Sequence, residues 1–151
     1  MAFKNRFFPG LDPQSILIWE AHLAANPDLY ANIDYDIRVG LGRDPGKEFN
    51  SNIRRMALRA SQRRIDAAGQ TPGAIQIIEI TDSAGQRALG QLASYPDLYR
   101  AAFSPTLPLL ATLVAREIQT DMTKGFQNAG VLVFLYPEVS PPSNTILNPE
   151  Q

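Results

Sequence analysis

Arg63-Arg64-Ile65-Asp66-Ala67-Ala68-Gly69-Gln70-Thr71-Pro72-Gly73-Ala74-Ile75-Gln76-Ile77-Ile78-Glu79-Ile80-Thr81 is the stretch on which the reading of this chain turns. Gly69 to Gly73 combines two glycines with a proline and is a turn signal. The flanking segments, 63–68 and 74–81, are predicted as strands, so the whole stretch forms a hairpin. Asp66 lies on the first arm and Glu79 on the second.

Upstream, Asp12 followed by Pro13 predicts a helix start, because the carboxylate caps free amides and proline tolerates the first helical position. Ile16, Trp19, Leu23 and, less regularly, Leu17 give a stripe of helical period that runs to about Ala25, where Asn26-Pro27 ends it. Tyr35 to Val39 alternates as a strand and is closed by Gly40-Leu41-Gly42. Residues 43–52 read as a loop. Ile53 to Ala60 favours a short helix, although its alternation also permits a strand.

Downstream, Ser83 to about Ala102 has helical spacing, with Ala84, Ala88, Gln91 and Tyr95 on one face and Leu89, Leu92 and Tyr99 nearer another. Pro96 is expected to break or kink it. Leu107 to Val114 is a continuous apolar run, as for a strand covered on both sides. Gln119 to Asn128 is a helix stopped by Gly130, and Val131 to Tyr136 is a last strand. Beyond Pro137 the chain turns to Pro, Ser and Asn and reads as an extended tail. The expected organisation is an arm over 1–13, a domain over 14–137 and a tail over 138–151. The expected fold class is α/β (α+β), a mixed central sheet flanked by helices.

The chain has 151 residues, enough for one domain that buries roughly 70% of its unfolded surface. Its net charge of −1 argues against wholesale electrostatic attraction to nucleic acid. With no cysteine and only His22, neither a thiolate site nor a multi-histidine zinc centre can form, so any metal would be held by carboxylates. Pro9, Gly10, Asp12 and Pro13 interrupt the start before an apolar signal region can develop. No apolar run approaches the roughly 20 residues that cross a bilayer, and no membrane partner is expected.

Arg64-Ile65-Asp66-Ala67, Ile77-Ile78-Glu79-Ile80-Thr81 and Gly90-Gln91-Leu92-Ala93-Ser94-Tyr95, in this order, resemble the PD-(D/E)XK nuclease superfamily, in particular the branch with a QxxxY helix after the catalytic hairpin. The resemblance covers about Tyr35 to Tyr136 and implies a restriction-endonuclease-like core. It also implies that Asp66 and Glu79 converge on Mg²⁺, which activates water and neutralises charge on the scissile phosphate. A lysine two residues after the second acid would complete such a site, on the same strand face. Thr81 stands there instead. Losing one preorganised charge costs about 10²- to 10³-fold in rate, so catalytic silence is the expectation, with neither metal nor cofactor.

Arg87, four residues before Gln91, is the candidate for a displaced cation in the alternative of an active Mg²⁺-dependent DNA nuclease. Glu20 corresponds loosely to an acid that relatives carry on the first helix, or is a solvated charge. Asp82 is read as a cap for the helix near Ser83. Asp66 and Glu79 could also simply pair with Arg64 or Arg38. Gln91 and Tyr95 share a helix face; for Tyr95, packing with its hydroxyl at a polar edge is the leading reading. Arg54, Arg55, Arg59, Arg63 and Arg64 fall in a stretch without an acid and suit phosphates, acidic partner surfaces or solvent. His22 is expected to be structural.

Tyr35-Asp36-Ile37-Arg38-Val39-Gly40 and Ala88-Leu89-Gly90-Gln91-Leu92 further resemble small proteins of tailed bacteriophages. That resemblance implies a structural virion component, with the head-to-tail connector or neck region as its candidate place, assembled in the host cytoplasm. Its partners would be other virion proteins and copies of itself, with DNA a third candidate and a non-cutting DNA-binding module a further alternative.

Overall fold

The computed structural model describes residues 8–140. The expected arms at 1–7 and 141–151 lie outside them. Helix α1 (Pro13–Ala25) is followed by strand β1 (Asn32–Val39), helix α2 (Ser51–Ser61), strands β2 (Arg63–Gln70) and β3 (Ile75–Ala84), and helix α3 (Gln86–Phe103). Strand β4 (Leu109–Ile118), helix α4 (Thr123–Asn128) and strand β5 (Leu132–Leu135) complete the order. The sheet runs β1-β2-β3-β4-β5. The first three strands are antiparallel neighbours, and β3-β4 and β4-β5 are parallel. This is the mixed, helix-flanked α+β core that the sequence predicts.

The helices form where their caps allow. Asp12 accepts the Ser15 N–H at 2.8 Å with Pro13 in the first turn of α1, and Asn50 accepts from Ile53 at the start of α2. Alternation along the strands then sends side chains to two layers. Ile78, Ile80 and Val114 pack beneath α1 with Ile18, Trp19 and Phe8. Leu113 and Ala115 pack against Leu92 of α3 and Phe126 of α4, and Ile77 against Tyr95. Phe8 is buried and Leu11 packs on the same cluster, so residues 8–12, read as arm, lie against the core.

Several boundaries move. β3 continues to Ala84, and α3 begins only at Gln86 after Gly85, so Ser83 and Ala84 are strand and not helix. Its ladder with parallel β4 reaches Ala84↔Ile118 and outcompetes the helical spacing. Pro96 does not end α3, which runs through it to Phe103. Proline there forfeits one backbone bond, and the helix stays anchored by buried Leu92 and Tyr95 before it and by partly buried Leu98 and Tyr99 after it. The helix expected over 119–128 is a 3-10 turn, Thr120–Met122, followed by α4.

The fully buried residues of α1 are Ser15, Ile18, Trp19 and His22; of the expected stripe Trp19 is among them, Ile16 and Leu23 pack partly buried at the edges of this face, and Leu17 is exposed. Two polar residues occupy that face because each finds partners. Ser15 donates to the Ile80 carbonyl. The Tyr30 hydroxyl donates to Gln76 Oε1 at 2.7 Å and therefore accepts from His22 Nε2 at 2.6 Å. His22 Nδ1 is left as acceptor for the Tyr136 hydroxyl, which in turn accepts from Asn26. The relay runs in one direction through five side chains and keeps the imidazole neutral. Gly69 sits beneath Tyr30, where a Cβ would lie 2.5 Å from the ring.

Burial lowers the His22 pKa from 6.5 to about 4. Between these values the unfolded chain takes up a proton that the folded chain refuses, so His22 costs stability as pH falls from 6.5 to 4. The full loss is about 3 kcal/mol. Denaturant titrations of wild type and His22→Gln across that window should show the wild type losing stability faster on acidification. Parallel curves would exclude this role.

Candidate active site

The β2-β3 ladder stops early. Its pairs run from Gln70↔Ile75 to Ala67↔Ile78, and the next residues on each strand are Asp66 and Glu79. From there β2 pairs only with β1, and β3 only with β4. The freed Ile80 N–H donates to the Asp66 carboxylate at 2.9 Å, so a side chain takes the place of a backbone acceptor.

Across from Asp66, Asp36 of β1 has φ +52, a left-handed conformation that aspartate tolerates better than most residues. Tyr35 packs in the α1 layer and Ile37 in the α3 layer, although residues two apart on a regular strand share a face. Ala67 and Ile65 divide in the same way. The β1-β2 ribbon therefore turns over at Asp36 and Asp66, which swings β2 away from β3.

The gap opens into a cleft of about 1340 Å³. Asp66, Glu79 and Thr81 line it from the strands, and Arg87, Gln91 and Tyr95 from α3. Sequence order alone thus brought the expected residues to one site. Asp66 and Glu79 are partly buried with their carboxyls in hydrogen-bond contact. Desolvation first, then the Asp66 charge, raises the Glu79 pKa from 4.5 to about 9, and Arg87 and Arg64 only partly oppose this. Asp66 is also raised, chiefly by burial, against the pull of the Ile80 N–H and Arg64. At neutral pH Glu79 keeps its proton.

The Tyr95 ring packs with Val39, Ile65, Ala68 and Ile77, while its hydroxyl meets Gln91 at the cleft. Burial and then Glu79 raise its pKa. Thr81 is neutral, and neither Lys47 nor Lys124 lines the cleft; Lys4 lies outside the described residues. The cations in the cleft wall are Arg38, Arg63, Arg64 and Arg87. Arg64 is drawn to Asp36 at 3.3 Å and donates to the Gly10 carbonyl, so neither it nor Arg38 makes the simple ion pair with Asp66 or Glu79 read as an alternative.

The five arginines divide. Arg54, Arg55 and Arg59 lie on α2, where Arg54 pairs with Asp44, while Arg63 and Arg64 belong to the cleft. Asp82 is not a helix cap: it is in β3, where it accepts from Arg116 at 2.7 Å and Gln14 at 3.0 Å, and the Arg116 contact lowers its pKa. Glu20 does not line the cleft. Asp12 does, and its charge acts on Asp66, a role that its capping signal concealed.

Two carboxyls in contact, one kept protonated by burial and by the charge of the other, are a donor set that a hard divalent ion fits. Among the described residues no group of three or more His, Cys, Asp and Glu comes together, so such an ion would take its other ligands from water.

No protein-family description matches the chain, and neither does any curated protein. Two solved structures share its course. One is a protein of unknown function, AF1548, with 11% identity and a TM-score of 0.46 over 80% of this chain and 56% of that one. The other is the EndoMS-dsDNA2 complex, with 16% identity and a TM-score of 0.48 over 94% of this chain and 52% of that one. The chain spans little more than half the length of either.

Because the fold retains a Glu79 proton that the unfolded chain releases, Glu79 weakens the fold progressively as pH rises from 4.5 towards about 9. Glu79→Gln cannot ionise. Thermal melts should therefore find the variant more stable than wild type by a margin that widens with pH across this window, and a constant margin would contradict the retained proton.

Proposed function

We propose that this chain is a nuclease-like domain without hydrolytic turnover, serving as a structural part of a tailed-phage particle. Thr81 at the cleft wall carries the first half of this reading. It shares a strand face with Glu79, and no described ammonium group lines the cleft. Glu79 is left protonated at neutral pH, and no described lysine stands beside the acids to orient an attacking water.

Support for the structural role comes from α2. No residue of this helix is buried, Met56 is 71% exposed and Ile53 lies on the same exposed side, while Leu41 on the preceding loop is 93% exposed. Apolar side chains presented in this number suit contact with another protein surface. The resemblance of Tyr35 to Gly40 and Ala88 to Leu92 to phage proteins adds the virion setting.

A second reading, an active Mg²⁺-dependent DNA nuclease, is favoured by the intact acid pair and by Arg87, whose charge reaches Glu79. A bound ion would supply Lewis acidity at a phosphate oxygen. Asp66 and Glu79 would hold it, and Arg87 would stand in for the ammonium. Cleavage assays with Mg²⁺ and Mn²⁺ separate the two. The silent reading expects no cutting by wild type and a gain of about 10²-fold or more over background in Thr81→Lys, abolished by Asp66→Ala. Wild-type cutting that Asp66→Ala removes would establish the second reading.

The assembly role expects the purified chain to self-associate or to join a particle protein through α2, and Met56→Glu to disperse that complex in light scattering. A wild-type monomer that no particle component binds would refute it.

A further inference from the structure

A smaller cavity of about 500 Å³ opens beside the cleft, between the loop that follows β1 and the start of β2. Leu41 and Leu98 form apolar walls, Arg43 and Arg63 supply charge, and Gly40 and Gly42 shape the loop. Arg63 and Leu98 also line the large cleft, so the two spaces adjoin across these side chains. The large cleft mixes acids with arginines. The small cavity has two arginines and no acid, and among the described residues neither arginine has an ion-pair partner within 4.0 Å.

The loop is held in place. Gly40 and Gly42 have φ of +84 and +67, and a Cβ on Gly42 would strike the Leu58 carbonyl at 2.4 Å. Gln62 donates to the Gly40 carbonyl at 2.8 Å, and the Arg43 N–H donates to Ser61 at 2.6 Å. Leu41 is therefore presented to solvent by a fixed backbone, at the rim of a cavity with an excess of positive charge.

A ligand for this space needs an anionic group for the arginines and a flat apolar surface for the leucines. We propose that it is a subsite for one unpaired nucleotide of a single-stranded nucleic acid whose backbone continues over Arg63 into the acid cleft. Paired bases in a duplex stack on one another and cannot offer their faces to Leu41 and Leu98; an unpaired base can. The assignment rests on the cleft facing nucleic acid, as in the second reading above, and it adds strand type to that reading.

Fluorescence anisotropy of the full chain with a labelled oligothymidylate long enough to span both spaces, and with a duplex of equal length, tests it. Arg43→Gln and Leu41→Asp alter exposed side chains, and Arg87→Gln reports on the cleft alone. Wild type should prefer the single strand. Leu41→Asp and Arg43→Gln should each weaken it about tenfold. Arg43→Gln should also make log affinity against log salt shallower by about 0.7, the share of one phosphate contact on a single strand. Equal affinity for strand and duplex, or single-strand binding unchanged in both loop variants while Arg87→Gln weakens it, would overturn the subsite and leave the cleft. No binding of either nucleic acid by wild type would overturn both.

Discussion

The contact between the Asp66 and Glu79 carboxyls, at the point where β2 leaves β3, is the constraint to which the rest of the site conforms. Two carboxylates cannot both ionise in contact while partly shielded from water, so the pair needs either a proton or a cation. The same residues end the β2-β3 ladder, and the Asp66 side chain takes the Ile80 N–H that the lost ladder would have left unpaired. Opening of the sheet and placement of the acids are one structural event. The left-handed turn at Asp36 makes it sterically feasible by passing the β1-β2 ribbon from the α1 layer to the α3 layer.

The domain contains two polar assemblies that behave differently because one is satisfied and the other is not. Around His22, each donor in the chain from Asn26 to Gln76 meets one acceptor, and the network closes within the α1 core. It adds rigidity and asks for no ligand. The acid pair faces an open cleft, retains the Glu79 proton through burial and then the charge of Asp66, and is pulled by arginines that do not touch it. A fold that keeps such a pair gives up stability for it.

Much of this was legible in the residues. The Gly69 to Gly73 turn placed Asp66 and Glu79 opposite each other, and the i, i+4 spacing of Gln91 and Tyr95 put both on the cleft side of α3. Thr81, two residues after Glu79, lies in the cleft wall as strand alternation implied. Where the reading failed, a competing tertiary interaction decided. Asp82 looked like a cap because Ser83 and Ala84 fit a helical stripe, yet pairing with β4 kept the strand going, and Arg116, distant in sequence, took the carboxylate. On α1, hydropathy pointed to Ile16 and Leu23, which pack only partly buried, whereas Ser15 and His22 turn fully inward because their partners come from β3, the segment after α1 and the residue following β5.

By itself the sequence determined the order of helices and strands, the hairpin and the identity of the groups that meet at the cleft, since turn chemistry and side-chain period are local properties of the chain. Only the tertiary structure decided that the hairpin splits at its acids, that Glu79 keeps a proton, that Arg63 and Arg64 part company with the arginines of α2, and that Arg43 and Leu41 border a second cavity. Each of these depends on desolvation, strand register or the approach of segments far apart in the chain. None of those quantities has a signature in neighbouring residues.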